Sequence, residues 1–181
     1  MSDFQSNNTY IKTTDFSDQP QPRDENSVAK GLYVTSVPIG NVKDITYRAL
    51  ETLQYCDIIF CEDTRVSARL FAHYNIKAPL QAYHEHNAAQ QRKKILGLIE
   101  EGKSVALVSD AGTPLISDPG FKLVRELVDL DYPVHVIPGV TAAITALTGS
   151  GLPTDSFAFC GFMPNKSSAR QSLLQSYQDR S

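Results

Sequence analysis

The sequence lacks the features that would assign it to several specialised classes of protein. Its three cysteines, Cys56, Cys61 and Cys160, form neither an even set nor a CxxC pair. This argues against a disulfide framework or a cysteine zinc site, and we expect buried free thiols instead. No apolar run exceeds about four residues, whereas a membrane helix needs about 20. The polar start has no signal-peptide pattern, so we expect a cytoplasmic protein without a membrane segment.

The chain also lacks an excess of positive charge. Its 181 residues carry a net charge of −3, with 41% hydrophobic and 20% charged residues, which is typical of a soluble globular protein. The protein therefore does not hold nucleic acid through a large overall positive field. Two local basic clusters remain, Arg92-Lys93-Lys94 and Lys166 with Arg170, and solvated helix faces are the simpler interpretation of both.

What the sequence does contain is an alternation of short apolar runs and helical patterns. Continuous apolar runs such as Ile58-Ile59-Phe60 are typical of parallel strands covered on both faces. We therefore predict an α/β fold with a mostly parallel sheet and helices on both faces. The predicted strands are Leu32–Val37, Asp57–Cys61, Pro79–Tyr83, Ser104–Ser109 and Val134–Ile137. The predicted helices are Asp44–Tyr55, Thr64–Tyr74, Ala88–Glu101, Phe121–Leu130 and Thr141–Leu147.

Composition divides the chain into three parts. Residues 1–28 are polar with little periodicity and predict a flexible tail, and residues 29–150 form the α/β domain. Gly149-Ser150-Gly151 predicts a hinge, so residues 151–181 would be the hinge and the incomplete beginning of a second α/β domain. There Phe157–Cys160 predicts a strand and Ser167–Tyr177 a helix.

Polar residues mark several helix starts. Asp44 can cap its helix, and Asp118-Pro119 places a carboxylate before a proline at a first helical position. The run Gly97 to Ser104 fits the P-loop expression GxxxxGK[ST], but a helix precedes it and a strand follows, the reverse of a phosphate loop. Gly102 instead predicts a helix end.

Three loops would follow strands at the edge where parallel sheets bind ligands. They are Ser36–Asn41, Ser109–Gly120 and Ile137–Ala143, all rich in small residues. Asp110 follows its strand directly and could accept hydrogen bonds from a ligand. Glu62 ends the second strand where a dinucleotide fold places its ribose-binding acid, but the glycine fingerprint of a dehydrogenase is missing.

Two further runs carry reactive groups, Cys61–Arg65 and Tyr83–Asn87. His84 and His86 could share a strand face as metal ligands, yet the spacing suggests no third ligand, so we predict no metal site. Helix capping by Asn87 is the simpler role for that residue. Substrate binding is the functional interpretation that we favour for both runs.

Together these runs resemble the tetrapyrrole methylase family of S-adenosylmethionine-dependent methyltransferases, in particular its branch that acts on ribosomal RNA. The resemblance covers residue 31 to about residue 164 and rests on GLYVTSVPIGN, CEDTR, YHEHN, SDAGTPLISDPG and IPGVTAA, in that order. It implies two α/β domains with S-adenosylmethionine in the cleft between them, and a homodimer. It also implies methylation of a cytidine ribose 2′-hydroxyl in small-subunit ribosomal RNA. The partner would be either the free RNA or the assembled small ribosomal subunit.

The resemblance implies cofactor contacts in all three loops, from Pro38, Val108, Ser109, Asp110, Thr113, Thr141 and Ala142. A ribose hydroxyl must lose its proton, so a positioned base would help, and Asp63, His84 and Glu85 are the candidates. Arg65 could bind a phosphate and Asn87 could orient the nucleotide. The alternative is that Asp63 and Arg65 merely pair with each other and that His84 is a satisfied strand-end histidine.

Other functions stay open at this stage. The same fold could methylate a tetrapyrrole or another small molecule, which the acidic net charge favours, or serve only as a cofactor-binding module. Because such enzymes have a second domain of about a hundred residues, we expect this chain by itself to bind the cofactor weakly, to self-associate and to be inactive.

Overall fold

The computed structural model describes residues 28–178. The predicted tail lies outside the described residues, apart from Val28. Five parallel strands form a single sheet in the order β3-β2-β4-β1-β5. The strands are β1 (Gly31–Thr35), β2 (Ile58–Cys61), β3 (Leu80–Ala82), β4 (Ser104–Val108) and β5 (Val134–Ile137). The predicted parallel α/β fold is confirmed, with strand ends shifted by one or two residues.

Helices cover both faces of this sheet. They are α1 (Tyr47–Tyr55), α2 (Thr64–His73), α3 (Ala88–Glu100), α4 (Phe121–Asp129), α5 (Ala142–Gly149) and α6 (Ser167–Gln175). Leu53 of α1 and Phe71 of α2 pack in one core with Tyr33 of β1, whereas Leu127 of α4 packs on the other face with Leu32. Consecutive residues of β1 thus enter different cores, which explains why every position of this strand is buried.

The start of α1 differs from the prediction. Asp44 lies in a separate 3-10 turn, Val42–Asp44, and the helix begins at Tyr47. Thr46 is the capping residue, because its hydroxyl accepts a hydrogen bond from the Ala49 amide at 3.1 Å. A threonine in extended conformation can cap a helix as an aspartate does, and the sequence pattern did not separate the two.

The predicted cap of α4 is wrong for a similar reason. The residue before the helix is Gly120, with φ of +134°, and Asp118 lies further back in the loop. A Cβ on Gly120 would come within 3.0 Å of Leu107 and Leu115, so close packing of the loop on the sheet explains the glycine. The Asp118 side chain therefore does not cap α4.

The end of α3 confirms the rejection of the P-loop. Gly102 has φ of +83°, its amide donates to the Ile99 carbonyl, and the Lys103 amide donates to the Leu98 carbonyl. These paired bonds form the Schellman arrangement that terminates helices. β4 then begins at Ser104, so this run joins a helix to a strand.

The segment after α5 departs most from prediction. α5 ends at Gly149, two residues beyond the predicted end at Leu147, and α6 begins at Ser167, as expected. Phe157–Cys160 forms no strand in the described structure. These residues are exposed and have no strand to pair with, and a strand without a neighbour has no ladder of hydrogen bonds. Cys160 is therefore exposed, contrary to expectation, whereas Cys56 and Cys61 are buried. The predicted domain boundary near residue 150 stays a prediction.

Candidate functional site

Three loops meet beyond the carboxyl ends of β1, β4 and β5. Val37 and Gly112 exchange two backbone hydrogen bonds, of 2.9 and 3.0 Å, which join the first loop to the second. The hydroxyls of Ser36 and Thr113 are 2.8 Å apart, and Thr113 donates to the Val140 carbonyl of the third loop at 3.3 Å. The three loops that the sequence singled out are thus held together.

The strand order predicts a crevice between these loops. β1 and β4 are neighbours, but β1 leads to α1 on one face of the sheet and β4 leads to α4 on the other. Connections that depart to opposite faces leave a gap beyond the strand ends, where parallel sheets commonly bind ligands. The described loops therefore surround the expected position of a ligand.

Small residues allow the loops to approach one another. A Cβ on Gly139 would lie 2.7 Å from the Ser36 Cβ, a distance that real Cβ atoms do not show. Gly112 has φ of +76°, a conformation that favours glycine. The second loop contains two more residues in this left-handed region, Leu115 at +73° and Ser117 at +65°, although neither is a glycine. Such strain is found preferentially at functional sites.

All seven residues with an expected cofactor role lie around this crevice. Pro38, Val108 and Ser109 are buried, Thr113 and Thr141 are half-buried, and Asp110 and Ala142 are exposed. Ser109 donates to the Ala111 carbonyl, and Thr141 caps α5 by accepting from the Ile144 amide at 3.3 Å. The structure brings these residues together, and their contact with a cofactor stays a prediction.

Asp63 and Arg65 lie beside this crevice, beyond β2, and pair with each other. One Asp63 oxygen accepts hydrogen bonds from the backbone amide and Nε of Arg65, and its other oxygen accepts from Nη2 at 2.6 Å. These hydrogen bonds lower the pKa of Asp63 to about 2. The Asp63 side chain also caps α2, so the alternative structural role described above is present in the structure.

Asp110 connects the two parts of the site. Its Oδ1 accepts a hydrogen bond from the Asp63 backbone amide at 3.0 Å, which joins the end of β2 to the end of β4. The cofactor residues implied for the second loop and the acceptor residues implied for the CEDTR run are therefore adjacent.

The YHEHN run forms a turn after β3. Asn87 stands before α3 but makes no capping hydrogen bond, contrary to the prediction. Its Oδ1 accepts from the His84 amide at 2.9 Å, and its Nδ2 donates to the Ala82 carbonyl at 3.0 Å. Asn87 thus shapes the turn that presents His84. Glu85 is exposed, and the His84 and His86 rings are 5.9 Å apart.

Two carboxylates at this end of the sheet were not selected as site residues from the sequence. Burial raises the pKa of Glu62, with the negative charges of Asp110, Asp118 and Asp63 acting in the same direction and His84 opposing them. Burial also raises the pKa of Asp118, which Ser109 partly offsets through a hydrogen bond. The sequence signal that could have identified Glu62 is its position directly after β2.

Residues 28–178 contain neither a metal-binding cluster nor a membrane-spanning helix. Within that range no group of three or more histidine, cysteine, aspartate or glutamate side chains is arranged to hold a metal ion. No helix in the same range is long and apolar enough to cross a membrane.

Comparison with known proteins identifies the family. The model of the tetrapyrrole (corrin/porphyrin) methylases matches residues 31–179. The chain belongs to the tetrapyrrole methylase family. Solved structures agree at the level of the fold: uroporphyrin-III-C-methyltransferase from Thermus thermophilus has a TM-score of 0.52 at 25% identity, covering 67% of this chain and 52% of that one. Cobalt precorrin-4 methyltransferase has a TM-score of 0.54 at 24% identity, covering 66% of this chain and 49% of that one.

Curated members of the tetrapyrrole methylase family are more similar in sequence. A protein of Rickettsia prowazekii named ribosomal RNA small subunit methyltransferase I is 53% identical over 144 residues, or 80% of this chain and 51% of that protein. The protein of the same name in Escherichia coli O157:H7 is 49% identical over 147 residues, or 81% of this chain and 51% of its own length. The chain thus spans about half the length of the curated relatives it matches.

Proposed function

We propose that this chain is the amino-terminal half of a methyltransferase that uses S-adenosylmethionine to methylate small-subunit ribosomal RNA. The observation that carries the proposal is the joining of three loops by hydrogen bonds beyond the strand ends of a tetrapyrrole methylase fold, in a chain about 50% identical to proteins named for that reaction. We further propose that the acceptor is the ribose 2′-hydroxyl of a cytidine.

The residues of the crevice suit the cofactor. Pro38 and Val108 are buried, so their role would be to hold the loops in position, and the glycines at 112 and 139 leave room for the backbone to approach a ligand. Exposed Asp110 can accept hydrogen bonds from the polar end of the molecule. When bound, S-adenosylmethionine supplies a methyl group on a positively charged sulfur, so alignment with the acceptor provides much of the catalysis.

The CEDTR and YHEHN runs would form the acceptor side. The Arg65 side chain is 85% exposed despite its pairing, which leaves it accessible to a phosphate of the RNA. Asn87 would orient the nucleotide through the turn that it holds, and Asp63, His84 and Glu85 stand near the acceptor as candidate proton acceptors. Contacts of this kind would fix the position of the RNA more than they would read its sequence.

Two wider proposals accompany this function. A substrate in the small ribosomal subunit would place the protein in the cytoplasm. A homodimer is supported by the large apolar side chains that remain exposed after α5, including Leu152, Phe157 and Phe162.

The decisive experiment incubates the complete natural protein with methyl-labelled S-adenosylmethionine and unmethylated small ribosomal subunits. We expect label in small-subunit ribosomal RNA and none in a parallel reaction with large ribosomal subunits, which serves as the matched control. Alkaline hydrolysis then locates the methyl group, because a methylated 2′-oxygen cannot attack the neighbouring phosphate. Label on a base would contradict the ribose assignment, and unlabelled RNA beside an active control methyltransferase would contradict the function.

A small-molecule methylase is the second candidate, since the structures above are named for uroporphyrin and cobalt precorrin substrates. The net charge of −3 is compatible with it. A tetrapyrrole that is methylated by the protein, with no label in RNA, would favour this candidate. Cofactor binding without turnover of either substrate would indicate a binding module.

A further inference from the structure

Glu62 is a carboxylate of the candidate site to which the sequence resemblance assigns no role. It directly follows β2, is half-buried, and makes no hydrogen bond or ion pair with any residue between 28 and 178. We propose that Glu62 accepts the proton of the attacking ribose hydroxyl and is the general base of the reaction. This inference rests on the proposed function and names a catalytic residue within it.

The neighbouring carboxylates are less suited to this role. Both oxygens of Asp63 accept hydrogen bonds from Arg65, which lowers the pKa of Asp63 to about 2. A group that holds its negative charge so strongly is a weak proton acceptor. Glu85 is exposed on the turn after β3, where water competes for its carboxylate.

Four charged or titratable groups from different parts of the chain act on Glu62. Asp63 caps α2, Asp110 follows β4, Asp118 lies in the loop before α4, and His84 follows β3. Burial and the three carboxylates raise the pKa of Glu62, and His84 acts in the opposite direction. A carboxylate with a raised pKa holds an accepted proton more strongly than one with the ordinary pKa, which favours a role as general base.

The backbone next to Glu62 is joined to the expected cofactor side of the site. The residue next to it, Asp63, donates its amide to Asp110, which is one of the residues expected to contact the cofactor. His84 supplies an independent observation, because its Nδ1 atom is buried without a hydrogen-bond partner among the described residues. Native proteins seldom leave such an atom unpaired, and a substrate or an ordered water beside Glu62 would complete it.

The proposed step balances in atoms and charge. The ribose oxygen forms a bond to the methyl carbon while the carbon–sulfur bond breaks, and the electron pair of that bond goes to sulfur, which becomes a neutral thioether. The hydroxyl proton passes to the Glu62 carboxylate. Deprotonation of Glu62 by water then restores the base for the next reaction.

The test compares Glu62→Gln with Glu62→Asp in the complete natural protein, with exposed Glu51 on α1 replaced by Gln as the matched control. We expect Glu62→Gln to lower kcat by about 100-fold and to abolish the acidic limb of its pH profile, without changing the Kd for S-adenosylmethionine. Glu62→Asp should restore part of kcat, and Glu51→Gln should behave as the wild type.

A readout independent of activity is the carboxyl NMR titration of Glu62 in the 181-residue chain. We expect its midpoint to lie above the ordinary value for a glutamate, and an unshifted midpoint would overturn the inference. An acidic limb that persists in Glu62→Gln would also overturn it, and would assign the base to another group such as His84. If the wild type transfers no methyl group to RNA, the proposed function itself fails. The activity of the wild type therefore distinguishes failure of the proposed function from failure of the Glu62 inference.

Discussion

The absence of a side chain at Gly139 sets the distance between two of the loops at the candidate site. A methyl group there would meet the Ser36 Cβ at 2.7 Å, so Gly139→Ala must push the first and third loops apart. We expect a loss of about 1–3 kcal/mol in the free energy of unfolding, as for other overpacked positions. Affinity for S-adenosylmethionine should fall as well, which calorimetry measures.

Gly97 provides the control for that substitution. It lies inside α3, and a Cβ there would have no heavy atom within 4 Å. Alanine is the better helix former, so Gly97→Ala should raise the free energy of unfolding by up to about 1 kcal/mol. Equal effects of the two substitutions in urea denaturation would show that the contact between the loops is unimportant.

The Asp63–Arg65 pair predicts a pH dependence of stability. The pKa of Asp63 falls from its usual 3.8 to about 2 in the folded protein. Its charge therefore stabilises the fold above pH about 4, and the contribution disappears as the pH falls through about 2. Asn caps helices as well as Asp does, so Asp63→Asn removes the charge and retains the cap.

We expect the wild type to exceed Asp63→Asn in stability at pH about 6, and the difference to shrink at pH about 3. Urea denaturation at both values measures it. Because the pair is exposed, the difference should also shrink in high salt. A difference that grows on acidification would contradict this assignment.

Single residues show where sequence reasoning reaches its limit. CEDTR identified a chemically active run, and its local Asp63–Arg65 pair could be proposed from the sequence, but the surroundings of Glu62 depend on neighbours from other strands. Asp110 is 47 positions from Asp63 and contacts its amide, and Glu62 is influenced by His84 and Asp118 from two other loops. The local sequence does not reveal such distant contacts, so Glu62 was not identified as a candidate base.

At the scale of elements, the start of α1 offers a direct test. The Thr46 hydroxyl accepts the Ala49 amide, whereas Asp44 stands in the preceding 3-10 turn. Thr46→Ala should cost about 1 kcal/mol in the free energy of unfolding. Asp44→Ala, an exposed position, should change it by less than about 0.5 kcal/mol. Thermal denaturation of both variants checks the assignment, and the reverse order of effects would restore Asp44 as the cap.

Elements were predictable where burial dominates their stability. Central strands such as β4 are buried at every position, and a continuous apolar run with flanking turn residues predicts them from local sequence. Phe157–Cys160 has a similar composition, yet it has no neighbouring strand in the described structure and forms none. β structure depends on a partner that the sequence of the segment does not reveal.

The whole molecule combines a well-packed sheet with an unusual amount of exposed apolar surface. The strands and α1 to α4 bury two cores, whereas the residues after α5 bury almost nothing. Leu152, Phe157, Phe159 and Phe162 are each at least 55% exposed in a single stretch. A contiguous apolar patch of this kind usually marks a surface that another protein surface covers.

We therefore expect the isolated 181-residue chain to self-associate through the stretch from Leu152 to Phe162. Its weight-average mass in sedimentation equilibrium should rise above 20.0 kDa with increasing concentration. The double substitution Phe159→Ser and Phe162→Ser should hold the mass near the monomer value, because it removes two of the largest exposed apolar side chains. Val128→Ser, at a 57% exposed position on α4, is the matched control and should associate as the wild type does. A wild-type chain that stays monomeric at every concentration would show that this apolar stretch does not drive association.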